Sequence, residues 1–316
     1  MMHSADQHFA ASPPDNRSKN SPLAWYWRIP LKLAIFAVVT FFVLFPSPSQ
    51  LARHISHLRD MQQMIAPNAP QLASLEALVR ERLTTTAPAD ADSPPVVQRA
   101  VERVVLEKVE YAWDWDQWGS ADYMPTVAEM FERAAAADGQ LREDCDGRAV
   151  MAASLMKRLG YEPTLVTDLR HVWVVTPQGA WMGPGGETTM ASGEEGNEIA
   201  WGTLLSNIPT SLSFGVAVFP FVREFIILVT AYLLLIHRRM SRPAAAIGFV
   251  LLVQGLLFMR LGFFAPTAVT REVSSWPAWV GLVHIFAGFA VLLRASHRAR
   301  RQAAITPPPV CAAVGP

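Results

Sequence analysis

Four stretches of this chain are too apolar to be left in water, and they constrain its fold more than any other feature. They cover residues 33–45, 214–236, 244–264 and 276–294. The last three match the length of a transmembrane helix, about 20 residues. The first holds about 13 uncharged residues, which is short for a span. Trp25, Tyr26 and Trp27 extend it as an interfacial anchor, with Arg28 and Lys32 snorkelling outward. An anchor over 25–46 follows. The same stretch also fits the core of a signal peptide, but "PSPSQLA" after it offers no A-x-A-like cleavage site.

The flanks set an orientation. Arg17, Lys19, Arg28 and Lys32 precede the first span, "HRRMSR" separates the second from the third, and "RASHRARR" follows the fourth. Placing all three clusters on the cytoplasmic side satisfies the positive-inside rule. In a bacterial inner membrane, everything between about 47 and 210 then faces the periplasm or exterior. Residues 1–24 and 295–316 read as disordered cytoplasmic ends. Charge divides the same way. Residues 95–209 carry 9 Lys+Arg against 18 Asp+Glu, whereas the chain from 210 onward has 10 Arg and 2 Glu. The arginines cluster at the ends of apolar runs, so the chain carries no nucleic-acid footprint. Membrane lipids are expected partners.

Ionisable residues inside spans need a reason. Glu224 and Arg260 sit at heights that differ by roughly one helical turn, and are expected to pair as a structural contact that fixes helix packing. The spans are too few and too apolar for a transport path.

In the outer segment, residues 47–95 read as a helical stalk, with Leu72, Leu75, Leu78, Val79 and Leu83 at helical spacing. "TTTAPADADSPP" then reads as a linker. A domain over 96–210 follows: an apolar-striped helix from Val97, a second helix ending at Gly139, and a third from Cys145 to Gly160. After these, "PTLVTD", "HVWVV" and "AWM" read as strands. Helices followed by antiparallel strands imply an α+β layer.

Cys145 and Cys311 are too few for a disulfide framework. Cys145 opens a helix, where free backbone N–H groups and the helix dipole favour a thiolate. His171 begins a strand 26 residues later, close enough in topology to return to that helix start. An imidazole beside a thiol takes its proton and makes the sulfur a nucleophile toward amides and esters. Asp144 is placed to cap the helix. Asp144 and Asp146, however, flank the sulfur with charge that raises the thiol pKa. Trp113, Gln117 and Trp118 are candidates for the cleft wall or an oxyanion donor.

The stretch "EDCDGRAVMAASLMKRLGYEPTLVTDLRHVWVV" resembles the core of the transglutaminase-like (papain-like) cysteine enzyme superfamily. That family has G-x-C-x-x-x-A opening a helix, "LGY", a strand, and a histidine opening the next strand. Cys145 and Ala149 fit, and Glu143 replaces the leading glycine. The resemblance covers roughly residues 96–184 and implies a transglutaminase-like α+β fold with Cys145 as nucleophile and His171 as base. It also implies an acid shortly after Trp181, where this chain has Pro184. Glu187 and Asp168 are the candidates to orient the histidine instead, and Asn197 is more remote. The expected function is a membrane-anchored cysteine hydrolase or acyltransferase acting on amide bonds of a peptide or peptide-glycan in the cell envelope, most simply a peptidase. The alternative is a domain of this kind that has lost turnover and serves as an envelope binding or sensing module. No metal and no cofactor are expected.

Overall fold

The structure, a computed structural model, describes residues 25–86, 88–183, 188–193, 196–261 and 276–305. The expectations for residues 1–24, for Glu187 and for Cys311 lie outside the described residues.

The mixed helical and sheet architecture divides into a bundle of apolar helices and an outer part. Helix α1 (Trp25–Leu44) is followed by α2 (Pro48–Arg59) and α3 (Ala73–Thr86), with short 3-10 turns between the last two. Helix α4 (Pro94–Lys108) leads into strand β1 (Val109–Tyr111) and a single turn, α5 (Asp114–Gln117). Helix α6 (Val127–Ala136) precedes β2 (Leu141–Glu143) and α7 (Cys145–Arg158). Strands β3 (Thr164–Thr167), β4 (Val172–Thr176), β5 (Gly179–Trp181), β6 (Met190–Gly193) and β7 (Gly196–Ile199) complete the outer part. Helices α8 (Trp201–Val218), α9 (Phe221–Leu235), α10 (Arg242–Leu261) and α11 (Trp276–Ile305) then return to the bundle.

Helix α7 is the centre of the outer core. Its residues from Ala149 to Met156 are almost completely buried, as an alanine-rich helix with little bulk permits. It packs against α4 on one side and the sheet on the other. The five strands are antiparallel in the order β5-β4-β3-β6-β7, while β1 and β2 form a separate parallel pair.

Residues 47–95 are not a detached stalk. Leu72, in the 3-10 turn before α3, and Leu75, Val79 and Leu83 on α3 are buried in the same core as Val97, Val101, Val104 and Val105 of α4. Arg158 at the end of α7 bonds Glu76 and the carbonyls of Pro67 and Ala69. The supposed linker folds α3 back onto α4. The apolar stripe of α3 finds its partner there, and burial of that stripe outweighs the polar character of the connection.

Among the described residues, three helices are long and apolar enough to cross a membrane, or four if a bent pair counts as one span. That pair is the stretch expected as a single span over 214–236. It is broken at Phe219–Pro220, where α8 and α9 meet at 115°, because Pro220 cannot donate to the helix ladder. Helix α10 lies tightly against α11. A Cβ on Gly255 would stand 2.8 Å from the Gly281 carbonyl oxygen, so only small residues allow this approach. The tail expected to be disordered from 295 continues α11 as helix to Ile305, its Ala and Arg residues being strong helix formers.

The two ends of the bundle differ. At one, the Leu44 carbonyl accepts from Ala121 N–H and Arg223 donates to the Gly119 carbonyl, joining α1 and α9 to the outer part. At the other, Lys32 donates to the Leu234 carbonyl, and Arg28, Lys32, Arg239 and Arg300 all surround His237. The cationic flanks of three segments therefore gather at the end away from the outer part.

Candidate functional site

Strand pairing builds the site. The parallel register sets Tyr111 opposite Glu143, and the Ala112 N–H donates to the Glu143 carbonyl. The next residues on one chain are Trp113 and Asp114, and on the other Asp144 and Cys145. Asp144 caps α7, its carboxylate accepting from the Asp146 N–H at 3.2 Å. Cys145 is thus the first residue of the helix, and its own N–H is one of those without an intrahelical partner.

His171 is delivered by a tight turn. Leu169 takes a left-handed conformation with φ 73°, unusual for a branched side chain. Asp168 holds it: Oδ1 accepts from the backbone N–H groups of Arg170 and His171, both at 2.9 Å, and Oδ2 pairs with the Arg170 guanidinium. The carboxylate therefore fixes the turn and the backbone of His171. It makes no bond to the ring. Among the described residues no side chain accepts a hydrogen bond from the imidazole; Phe214 of α8 packs its ring 5.3 Å away.

The thiol and the imidazole both line a cavity of about 670 Å³. The Val172 N–H, next to His171, favours the thiolate form of Cys145. Tyr111, Trp113 and Trp115 line the same space, Trp113 stacked on Trp115 at 4.8 Å and edge-on to Tyr111 at 5.1 Å.

Comparison with known proteins gives no match: no family model, no curated protein and no solved structure is similar to this chain.

Of the residues singled out from the sequence, Trp113 lies at the cavity, whereas Gln117 and Trp118 do not. Trp118 instead donates its Nε1–H to Glu143 of β2 at 3.3 Å and packs its ring against Tyr123. The helical turn of α5 carries both away from the cavity side that Trp113 occupies. Asn197 is also elsewhere, bonding the Leu58 carbonyl and the Met61 N–H.

The electrostatics differ from a resting ion pair. Cys145 is reachable from the cavity, yet protein surrounds it on the scale that governs solvation. Burial pushes its thiol well above the usual range, and the charge of Asp144 adds to this, against the Val172 N–H. Burial lowers the pKa of His171, with Asp168 opposing and Arg170 reinforcing. Both groups are therefore neutral at rest near pH 7. Burial likewise raises Asp114, Asp144 and Asp146, and lifts Glu143 to about 8.

Sequence reasoning passed over Asp114 and Asp122. Asp114, Asp122 and Asp146 bring oxygens within 4.8 Å of one another, and Asp114 Oδ1 is buried without a partner among the described residues. Three such oxygens are donors of the kind that hold a hard divalent cation. The charge of an ion there would offset the carboxylates that raise the thiol. The spacing of Asp114, Asp122 and Asp146 along the chain carries no signal; only the fold brings them together.

Proposed function

We propose that this protein is a membrane-embedded, transglutaminase-like cysteine enzyme, a hydrolase or acyltransferase of amide bonds. Cys145 is the nucleophile and His171 the general base. The observation that carries the reading is that Cys145, at the start of α7, and His171, at the start of β4, line the same cavity. The neutral pair sets the order of events. His171 takes the thiol proton as the sulfur attacks the carbonyl carbon. The Cys145 N–H is free to receive the developing oxyanion. Collapse breaks the bond to the leaving group, which takes the proton from the imidazolium, and leaves a thioester. Water or an amine then releases the acyl group. Asp168 acts by holding the turn that aims His171.

The basic residues gathered at the far end of the bundle support a cytoplasmic location for that end. The site then faces the periplasm or exterior of a bacterial inner membrane, where a peptide or peptide-glycan is within reach. A second reading is favoured by the raised thiol and by an imidazole with no side-chain acceptor among the described residues: a domain without turnover that serves as an envelope binding or sensing module. Treating the purified full chain with a soluble activated ester and measuring its intact mass separates them. The enzyme reading expects one acyl group, absent in Cys145→Ser; a chain that stays unmodified in both forms leaves the sensing module.

A further inference from the structure

The cavity at Cys145 does not stop at the outer part. It continues between the apolar helices, where Phe36 of α1, Leu228 and Ala231 of α9, Leu252 of α10 and Phe289 of α11 line it. Its depth follows from the helices. From Leu44, which bonds Ala121 of the outer part, to Phe36 is about 12 Å along α1. Helix α9 runs the opposite way, and Ala231 on its wall is within one turn of Leu234, the contact of Lys32. The space thus penetrates most of the bundle, and its reactive end holds the thiol and the imidazole.

A peptide has no use for such a space. Its backbone N–H and C=O groups would go unpaired against hydrocarbon walls. A hydrocarbon chain loses nothing there. The polar atoms on the wall sit toward the outer end: Ser211 Oγ and Glu224 Oε1 are buried without partners among the described residues, and Glu224 is in the first turn of α9. They face the position that the head of a tailed molecule occupies.

We infer that the acyl donor carries a long hydrocarbon chain, with the chain held between α1, α9, α10 and α11 and its carbonyl at Cys145. This rests on the cysteine-enzyme reading and narrows its substrate class to lipid-tailed amides and esters. The thiol sulfur bonds the acyl carbon, the bond to the amine or alcohol breaks, and that group leaves with the proton carried by His171. The product is a fatty thioester on Cys145, which water releases as a carboxylic acid.

The test uses the full chain in nanodiscs and p-nitrophenyl esters from acetate to dodecanoate, reading the rate of Cys145 acylation by intact mass. Rates are expected to rise by about fourfold for each added CH₂ until the cavity is filled, then level or fall. In Ala231→Trp, which fills the deep end, the break is expected at a shorter chain. A series that is flat with chain length, or that rises identically in Ala231→Trp through simple partitioning into the bilayer, overturns the inference while leaving the cysteine-enzyme reading in place. No acylation by any ester, acetate included, defeats that reading as well.

Discussion

Arg260 and Glu224 meet at 2.6 Å where α8 breaks into α9. The same guanidinium nitrogen donates to the carbonyls of Val216 and Phe219, at 2.8 and 3.0 Å. These are carbonyls that the break leaves without helical donors. The pair therefore fastens a bend between apolar helices, at the rim of the cavity.

Removing one partner leaves the other buried and unpaired. Arg260→Ala is expected to cost about 3 kcal/mol and to open the bend. Glu224→Gln, which keeps an acceptor, is expected to cost less. In the double variant the losses are expected to fall short of their sum. Thermal unfolding of the full chain in micelles checks this; simple additivity would mean the pair is not coupled.

Leu72 is fully buried against the core that contains α7. Leu72→Ala is expected to cost about 3 kcal/mol and to lower the melting of α2–α3 and of the Cys145 region together. Heating while following both intrinsic fluorescence and alkylation of Cys145 reads the two parts. Separate transitions would restore the detached stalk.

Burial raises Glu143 to about 8, and Asp114, Asp144 and Asp146 move the same way. The unfolded carboxyls ionise near 4. Their protonated forms therefore favour the fold fully below that pH, and this stability is lost as pH rises toward 8. The stability of the outer part is expected to fall between pH 5 and 8 by an amount on the order of a few kcal/mol, and its Tm to fall with it. Glu143→Gln keeps the Trp118 bond and is expected to flatten the slope. A Tm that rises over this range would contradict the account.

Asp168 positions His171 through its backbone, so its side chain needs acceptors rather than charge. Asp168→Ala is expected to slow acylation of Cys145 on the order of tenfold to a hundredfold, and Asp168→Asn to restore part of the rate. The midpoint of the pH profile is expected to move down in Asp168→Asn, because the charge of Asp168 opposes the lowering of the His171 pKa. An Asn variant as slow as the Ala variant would argue instead for a charge acting on the ring.

How much of this was written in the chain depends on distance along it. Local signals were legible: the apolar runs, the Asp144 cap, Gly139 and Gly160 at helix ends, and the three strands around His171. The thiol and the imidazole were nominated by helix and strand starts that are themselves local. Contacts made by long-range folding were not readable. Nothing in the polar stretch 84–95 announces that α3 folds back on α4, and nothing near Asp114 or Asp122 points to Asp146. Pro220 was visible, but its effect depends on Arg260, which lies 40 residues further on and bonds the freed carbonyls. The position of Trp118 is not legible either, because it is set by what packs behind it, here Glu143 and Tyr123.

The central claim, that His171 activates Cys145, is tested most directly by the pH dependence of Cys145 acylation in the wild-type chain and in His171→Ala. With p-nitrophenyl acetate and intact-mass detection, the wild-type rate is expected to rise with deprotonation of His171. Burial moves that group below its ordinary value, so the rise comes below about pH 6.5 and is followed by a plateau. His171→Ala is expected to be slower by about 10²–10⁴ on the plateau and to gain rate only as the raised thiol itself ionises, above about pH 8.5. Equal rates for the two proteins at every pH would contradict the account.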